Sequence, residues 1–176
     1  MIPLQKPFRV ANEADAHELA DLVNITGEGL PLHIWQGLTQ EGQDPWDVGR
    51  ARQAEKASKG QIVVVDIGNH AVANLTGYTI GAEPEPVGED ISTLLRPLQE
   101  LENQASESWY VNVLACYPEY CGKGHGSRLL KLAEQIAKDE NLKRMSVTVA
   151  DNNSGARRLY ERHGYEVSDV SAYGSK

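Results

Sequence analysis

Three glycines at alternate positions, Gly122, Gly124 and Gly126, sit among Lys123, His125 and Arg128. Glycine lets a backbone approach a ligand closely and reach positive φ. Leu129, Leu132, Ala133, Ile136 and Ala137 then recur at helical spacing, with Arg128, Lys131, Glu134, Gln135 and Lys138 on other faces. The first turn of a helix presents unpaired N–H groups and the positive end of its dipole. A glycine bend feeding such a turn makes an anion site, and phosphate is its usual guest. Taken alone, the glycines support a plain tight turn equally well. A Walker A loop fits poorly, because it needs a Gly-Lys-Ser/Thr that is absent here. A dinucleotide fingerprint needs Gly-x-Gly-x-x-Gly near the start of a longer α/β array, whereas the spacing here is Gly-x-Gly-x-Gly, near the end. Asp151 could stand in for the ribose-binding acid, so that reading fits less well but stays open.

The elements that position this bend are legible in outline. Trp109 to Cys116 is rich in β-formers and reads as a strand that Pro118 ends. Arg144 to Val149 alternates and is β-branched, which gives a strand–helix–strand crossover. Upstream, Pro7–Val10 reads as a strand, and Asn12 with Asp15 as the capping box of a helix to about Ile25. A short helix is expected over Pro31–Leu38, and a second from the Asp44-Pro45 start to about Ser58. Ile62–Ile67 and Ala71–Ile80 are paired strands joined by Gly68-Asn69. Residues 81–88 form a loop. Leu94, Leu95, Leu98 and Leu101 give a helix over Ile91–Asn103 that Pro97 kinks or breaks. Asn152, Asn153 or Ser154 caps a last helix, Gly164 ends it, and Tyr165–Val170 is a final strand.

Two blocks together resemble the GNAT superfamily of acyl-CoA-dependent N-acyltransferases. Leu114-Ala-Cys-Tyr-Pro-Glu-Tyr-Cys-Gly-Lys-Gly-His-Gly-Ser-Arg-Leu-Leu is similar to the family's strand and Arg/Gln-x-x-Gly-x-Gly/Ala loop. Asp151-Asn-Asn-Ser-Gly-Ala-Arg-Arg-Leu-Tyr-Glu-Arg-His-Gly-Tyr165 is similar to its Asn-x-x-Ala-x-x-Leu-Tyr-x-x-x-Gly-Phe/Tyr signature. One position departs: Cys121 stands where the family has Arg or Gln, which removes a side-chain contact to phosphate. The resemblance implies an α/β fold, a mixed and mostly antiparallel central sheet flanked by helices, in a single domain over residues 1–176. It also implies acetyl-CoA as co-substrate, no metal, and a primary amine acceptor. The family's sheet has a further strand beyond Tyr165–Val170. The residues after Val170 are too short for a full hairpin, so the sheet is one strand short or a homodimer completes it.

Composition bounds the rest. The chain has 176 residues, 40% hydrophobic and 24% charged, ordinary for a globular domain. A net charge of −8 argues against a nucleic-acid partner and suits a cationic acceptor, which is weak evidence. No apolar run suggests a membrane span and no basic-then-apolar leader suggests secretion, so a cytoplasmic location is expected. Cys116 and Cys121 lack metal-knuckle spacing and are expected as reduced thiols.

Acetyl transfer needs a neutral amine, a polarised thioester and a protonated leaving thiol. Free amines titrate near ~8 to ~10.4, so a base is useful at neutral pH. The resemblance places Tyr160 as the acid that protonates the sulfur; a phenol near pKa ~10 holds its proton at neutral pH. Tyr160 shares a helix face with Ala156, Leu159 and His163 and could also be plain core. Asn153 contacts the coenzyme in the family, and could simply cap the helix. Cys121, Gly122, Lys123, Gly124, His125, Gly126 and Ser127 are expected to cradle the diphosphate. Backbone amides of Leu114, Ala115 and Cys116 are expected to hold the pantetheine and polarise the thioester, which requires the strand to splay from its parallel neighbour. Glu107 is the expected base, with Glu28 and His33 as others; each also reads as a solvated residue. Glu28, His33, Trp35 and Asn112 are expected to meet the acceptor, the Thr26–Trp46 stretch being a lid, while Trp35 and Trp46 could serve only as anchors. The rival readings are a non-catalytic acyl-CoA-binding module and a nucleotide-binding regulator.

Overall fold

The computed structural model describes residues 4–88, 91 and 95–171. Its strands are β1 (Phe8–Val10), β2 (Ile62–Ile67), β3 (His70–Ile80), β4 (Ser108–Cys116) and β5 (Arg144–Val147). Its α-helices are α1 (Ala16–Thr26), α2 (Leu30–Leu38), α3 (Pro45–Ser58), α4 (Arg96–Gln104), α5 (His125–Asp139) and α6 (Ser154–Arg162). The strands make a five-stranded sheet in the order β1-β2-β3-β4-β5. β1–β2 and β2–β3 are antiparallel, and β4–β5 is parallel, as a helical crossover between them demands. The chain divides into two compact units: one holds residues 1–77 and 113–129, the other 78–112 and 130–176.

In the first unit local chemistry sets each boundary. The Asn12 side chain accepts from Ala14 N at 2.9 Å, and Asp15 accepts from Asn12 N at 2.8 Å, closing a capping box over a short 3₁₀ turn that leads into α1. Arg9 reaches Asp15 with both terminal nitrogens at 2.7 Å and Asp66 at 2.5 Å, tying β1 to that turn and to β2. Gly68 and Asn69 both take positive φ, 63° and 67°, the signature of a tight hairpin turn. Asp44 caps α3 through Trp46 N at 3.0 Å, with Pro45 in the first turn. Ala11, Leu19, Ala57, Ile62, Val64 and Ala71 form one apolar cluster; Leu22, Val113 and Ala115 form another. Burying each large aliphatic side chain contributes about 1.5–3 kcal/mol. Trp35, 3% exposed, packs edge-on to Trp46 at 5.6 Å, and a Cβ at Gly49 would come within 2.6 Å of its ring. α2 and α3 therefore close on each other through Trp35, over a glycine.

In the second unit β4 and β5 pair from Ser108–Arg144 to Val111–Val147. Ser108 Oγ donates to Ala105 O at 2.5 Å and meets Ser146 Oγ at 2.6 Å. Asn153 Oδ1 caps α6 through Ala156 N at 3.0 Å, and Gly164 follows its end at φ 81°.

Pro97 lies in the first turn of α4, where its missing N–H costs nothing. Residues 89–90 and 92–94 of the expected helix lie outside the described residues. Three expectations need correction. β5 stops at Val147 rather than Val149. Tyr165–Val170 pairs with no strand among the described residues; Val167 and Val170 are 73% and 68% exposed, so its β-branched composition covers no face there. Finally, Cys116 and Cys121 are joined in a disulfide, not reduced. The 3₁₀ turn Pro118–Tyr120 folds the chain back and sets their Cα atoms 5.9 Å apart, within bonding reach.

Candidate active site

The bend that follows β4 belongs to the first unit. Tyr117 N donates to Val72 O at 3.1 Å, which fixes the end of β4, and Tyr117 Oη reaches Asp21 at 3.3 Å. Cys121 N donates to Tyr117 O at 3.1 Å and to Pro118 O at 3.2 Å. Gly122 and Gly124 then take φ of 75° and 84°, a conformation that disfavours any side chain. Gly126 needs no such freedom, since it lies inside α5. A Cβ built on Gly122 or Gly124 would meet nothing within 4 Å, so the space beside the bend is open.

The helix ladder begins with Arg128 N donating to Gly124 O at 3.1 Å. The amides of Gly122 through Ser127 donate to no acceptor among the described residues. They lie at the start of α5, where the dipole favours negative charge. Two cations add to it: Lys123, whose ammonium lies 4.9 Å from the Tyr120 ring, and Arg128, which stacks on Phe8 at 4.6 Å. His125 is buried, 8% exposed, and its Nδ1 has no partner. Burial first, then Arg128 and Lys123, hold its pKa below the ordinary imidazole value, so it stays neutral. Open space, unpaired amides and an orphaned imidazole nitrogen fit a diphosphate. Cys121 contributes no polar arm, because its sulfur is bonded to Cys116.

The second unit carries Tyr160, buried on α6. Its ring packs against Tyr165 at 5.5 Å, and Tyr165 Oη lies 3.6 Å from the Met145 sulfur. Burial, with a smaller effect of the neighbouring Tyr110 phenol, pushes the Tyr160 pKa up to about 12. The hydroxyl is thus a proton holder at neutral pH. Asn153 uses its side chain in the α6 cap. Glu107 is exposed, in left-handed backbone at φ 53°, with its N–H donating to Gly81 O at 3.1 Å. Asn112 is exposed between buried Val111 and Val113. In the first unit Glu28 and His33 are exposed, and Trp35 is the α2–α3 anchor described above. β4 continues through Leu114, Ala115 and Cys116, past Val111, the last residue paired with β5.

Sequence reasoning passed over Tyr78, Tyr110 and Glu102, which lie together in the second unit. Tyr78 Oη donates to Glu102 at 2.6 Å, and the Tyr78 and Tyr110 rings lie 5.4 Å apart at 56°. Their separation along the chain hides the cluster; only the β3–β4 neighbourhood in the strand order would have signalled it.

The sequence model of the acetyltransferase (GNAT) family matches residues 32–165. The chain is 32% identical over 164 residues to the S-alkylcysteine N-acetyltransferase of Bacillus subtilis, covering 91% of this chain and 78% of that protein. It is 35% identical over 54 residues to the uncharacterized N-acetyltransferase YycN of the same organism, spanning 31% of this chain and 35% of that protein. Its fold matches the PaiA N-acetyltransferase of Thermoplasma acidophilum, solved in complex with coenzyme A, with a TM-score of 0.62 at 15% identity, covering 93% and 91% of the two chains. The chain belongs to the acetyltransferase (GNAT) family, and that membership makes it an enzyme of the N-acetyltransferase class. No helix among the described residues is long and apolar enough to cross a membrane.

Proposed function

We propose that this chain, as one N-acyltransferase domain, moves the acetyl group of acetyl-CoA directly onto a primary amine in a ternary complex. The observation that carries the reading is the row of unpaired amides from Gly122 to Ser127 on a family loop. In this reading those amides, with Lys123 and the neutral His125, bind the diphosphate. Backbone amides of Leu114, Ala115 and Cys116, past the end of the β5 ladder, hold the pantetheine and orient the thioester. Acetyl-CoA supplies the activated acyl group. Tyr160 keeps a proton on its Oη for the departing sulfur, and its raised pKa supports that role. Asn153 caps α6 and meets the coenzyme at once. Glu107 takes the acceptor's proton through water, while Glu28, His33 and Asn112 face the acceptor; no metal takes part.

The similarity to S-alkylcysteine N-acetyltransferase supports a small amino acid α-amine as acceptor. The experiment is thiol release from acetyl-CoA across a panel of amines: S-methylcysteine, lysine, a polyamine, an aminoglycoside and a peptide N-terminus. Turnover is expected with S-methylcysteine above the others. Release with none of them, while acetyl-CoA still binds, would make the protein an acyl-CoA-binding module instead.

A further inference from the structure

The second unit holds a carboxylate whose setting nothing above explains. Glu102, on α4, is half-buried and accepts one hydrogen bond, from Tyr78 Oη at 2.6 Å. A carboxylate can accept about four. Among the described residues no lysine, arginine or histidine forms a salt bridge with it. Burial raises its pKa, the Tyr78 hydrogen bond offsets only part of that, and Glu85 raises it further, so the second charge nearby has the wrong sign to compensate. The 81–88 loop is held in place: Asn103 Nδ2 donates to Glu85 O at 2.8 Å, and Glu107 N donates to Gly81 O. A part-buried charge without a counter-ion is an unfavourable arrangement that an incoming cation relieves.

Beside the carboxylate stands an aromatic surface. Tyr78 is 41% exposed, with its ring tilted against Tyr110, which is 8% exposed. Tyr110 in turn is close enough to Tyr160 to bear on that phenol's ionisation. An anion flanked by an exposed aromatic face is the pairing that recognises organic ammonium groups, through a charged hydrogen bond on one side and the ring quadrupole on the other. The ring is what separates this place from a merely acidic patch.

We propose that Glu102, with the exposed ring of Tyr78 beside it, is the subsite that binds the acceptor's ammonium group. The assignment rests on the acetyl-transfer reading above. It gives the acceptor a place on the aromatic cluster that includes Tyr110, and it makes the enzyme selective for acceptors that arrive as cations.

The test needs no turnover. Protein with labelled tyrosine rings is titrated with n-butylammonium chloride and, separately, with butan-1-ol, its neutral counterpart. Saturable shifts of the Tyr78 and Tyr110 ring signals with butylammonium only, weakened at least tenfold in Glu102→Gln and several-fold in Tyr78→Leu, are the expected result. Equal response to the alcohol, shifts centred on other tyrosines, no saturable shift, or an undiminished response in Glu102→Gln would overturn it. The wild-type titrations decide the matter even if a variant fails to fold. Butylammonium binding without acetyl transfer to any amine would sink the enzymatic reading alone. Transfer with an unchanged acceptor KM in Glu102→Gln would sink the subsite alone.

Discussion

In the 122–127 bend the polar groups left without partners are main-chain amides and a single imidazole nitrogen, whereas around Tyr110 the chemistry lies wholly in side chains. The bend presents donors that any sequence able to adopt its backbone would present, so its identity rests on φ at Gly122 and Gly124. The cluster of Tyr78, Tyr110, Glu102 and Tyr160 depends on what each side chain is and how far burial has moved it from its solution behaviour. A backbone-built site tolerates the loss of side chains and fails when its conformation is disturbed. A site built of side chains behaves the other way round. That contrast fits a Cys121 whose sulfur is tied up in a disulfide: most of the donors that remain belong to the main chain.

The largest effect should come from the side-chain region. Tyr160→Phe keeps the ring packing against Tyr165 and removes only the hydroxyl. Turnover is expected to fall about 10²–10⁴-fold, with acetyl-CoA affinity within about twofold of wild type, read by steady-state kinetics and calorimetry. Unchanged turnover would return Tyr160 to the core and leave the second unit without an acid. Next in size is the bend. Gly124→Ala must force a Cβ into φ 84°, and since nothing lies within 4 Å of that position the penalty is purely conformational. Left-handed backbone costs an L-residue about 1–2 kcal/mol, so coenzyme affinity should fall about tenfold. Lys123→Ala, which loses an exposed charge stacked on Tyr120, should lose only about threefold to fivefold. If the lysine variant suffers more than the glycine variant, the bend is not backbone-built and the contrast fails.

Legibility followed the same division. Alternate glycines, a helical apolar period and the two motif blocks are local signals, and they located β4, the bend, α5 and the helix that carries Tyr160. Local rules also gave the Asn12 capping box, the Gly68-Asn69 turn and the Asp44 cap, each carried by residues within a few positions of one another. What was missed depends on pairing. Tyr165–Val170 has strand composition, yet no neighbour among the described residues accepts it, so the local preference decides nothing. The disulfide needed the 3₁₀ turn between its cysteines to be known, and the residue types alone pointed to free thiols. Trp35 read equally as lid or anchor; the contact with the glycine at position 49 is what identifies the anchor. Glu102 lay in a stretch read only for its leucines.

The smallest predicted effect sharpens the contrast at its one ambiguous residue, His125, a side chain buried inside the backbone-built site. Its pKa in the folded protein lies below the ordinary value of 6.5, chiefly through burial and then through Arg128 and Lys123. Well above pH 6.5 the imidazole is neutral whether the chain is folded or not, and it adds no pH dependence. As pH falls below 6.5 the unfolded chain binds a proton that the folded chain refuses, so stability declines until the folded pKa is passed. Asp15 and Asp66 have carboxyls held below their ordinary range and act only in stronger acid, while Glu102, raised by burial, adds stability as it takes up its proton and so opposes the decline. His125→Gln should remove the decline: the difference in melting temperature between wild type and variant should stay constant above pH 6.5 and shift in the variant's favour below it. A bound diphosphate reverses the sign, because an anion beside the ring favours the imidazolium. Coenzyme A binding near pH 6 should therefore take up protons from buffer in wild type and take up fewer in the variant, which calorimetry in buffers of differing ionisation enthalpy reads directly. Equal proton uptake by the two proteins would place the diphosphate away from His125, and the open space beside Gly122 and Gly124 would then need another occupant.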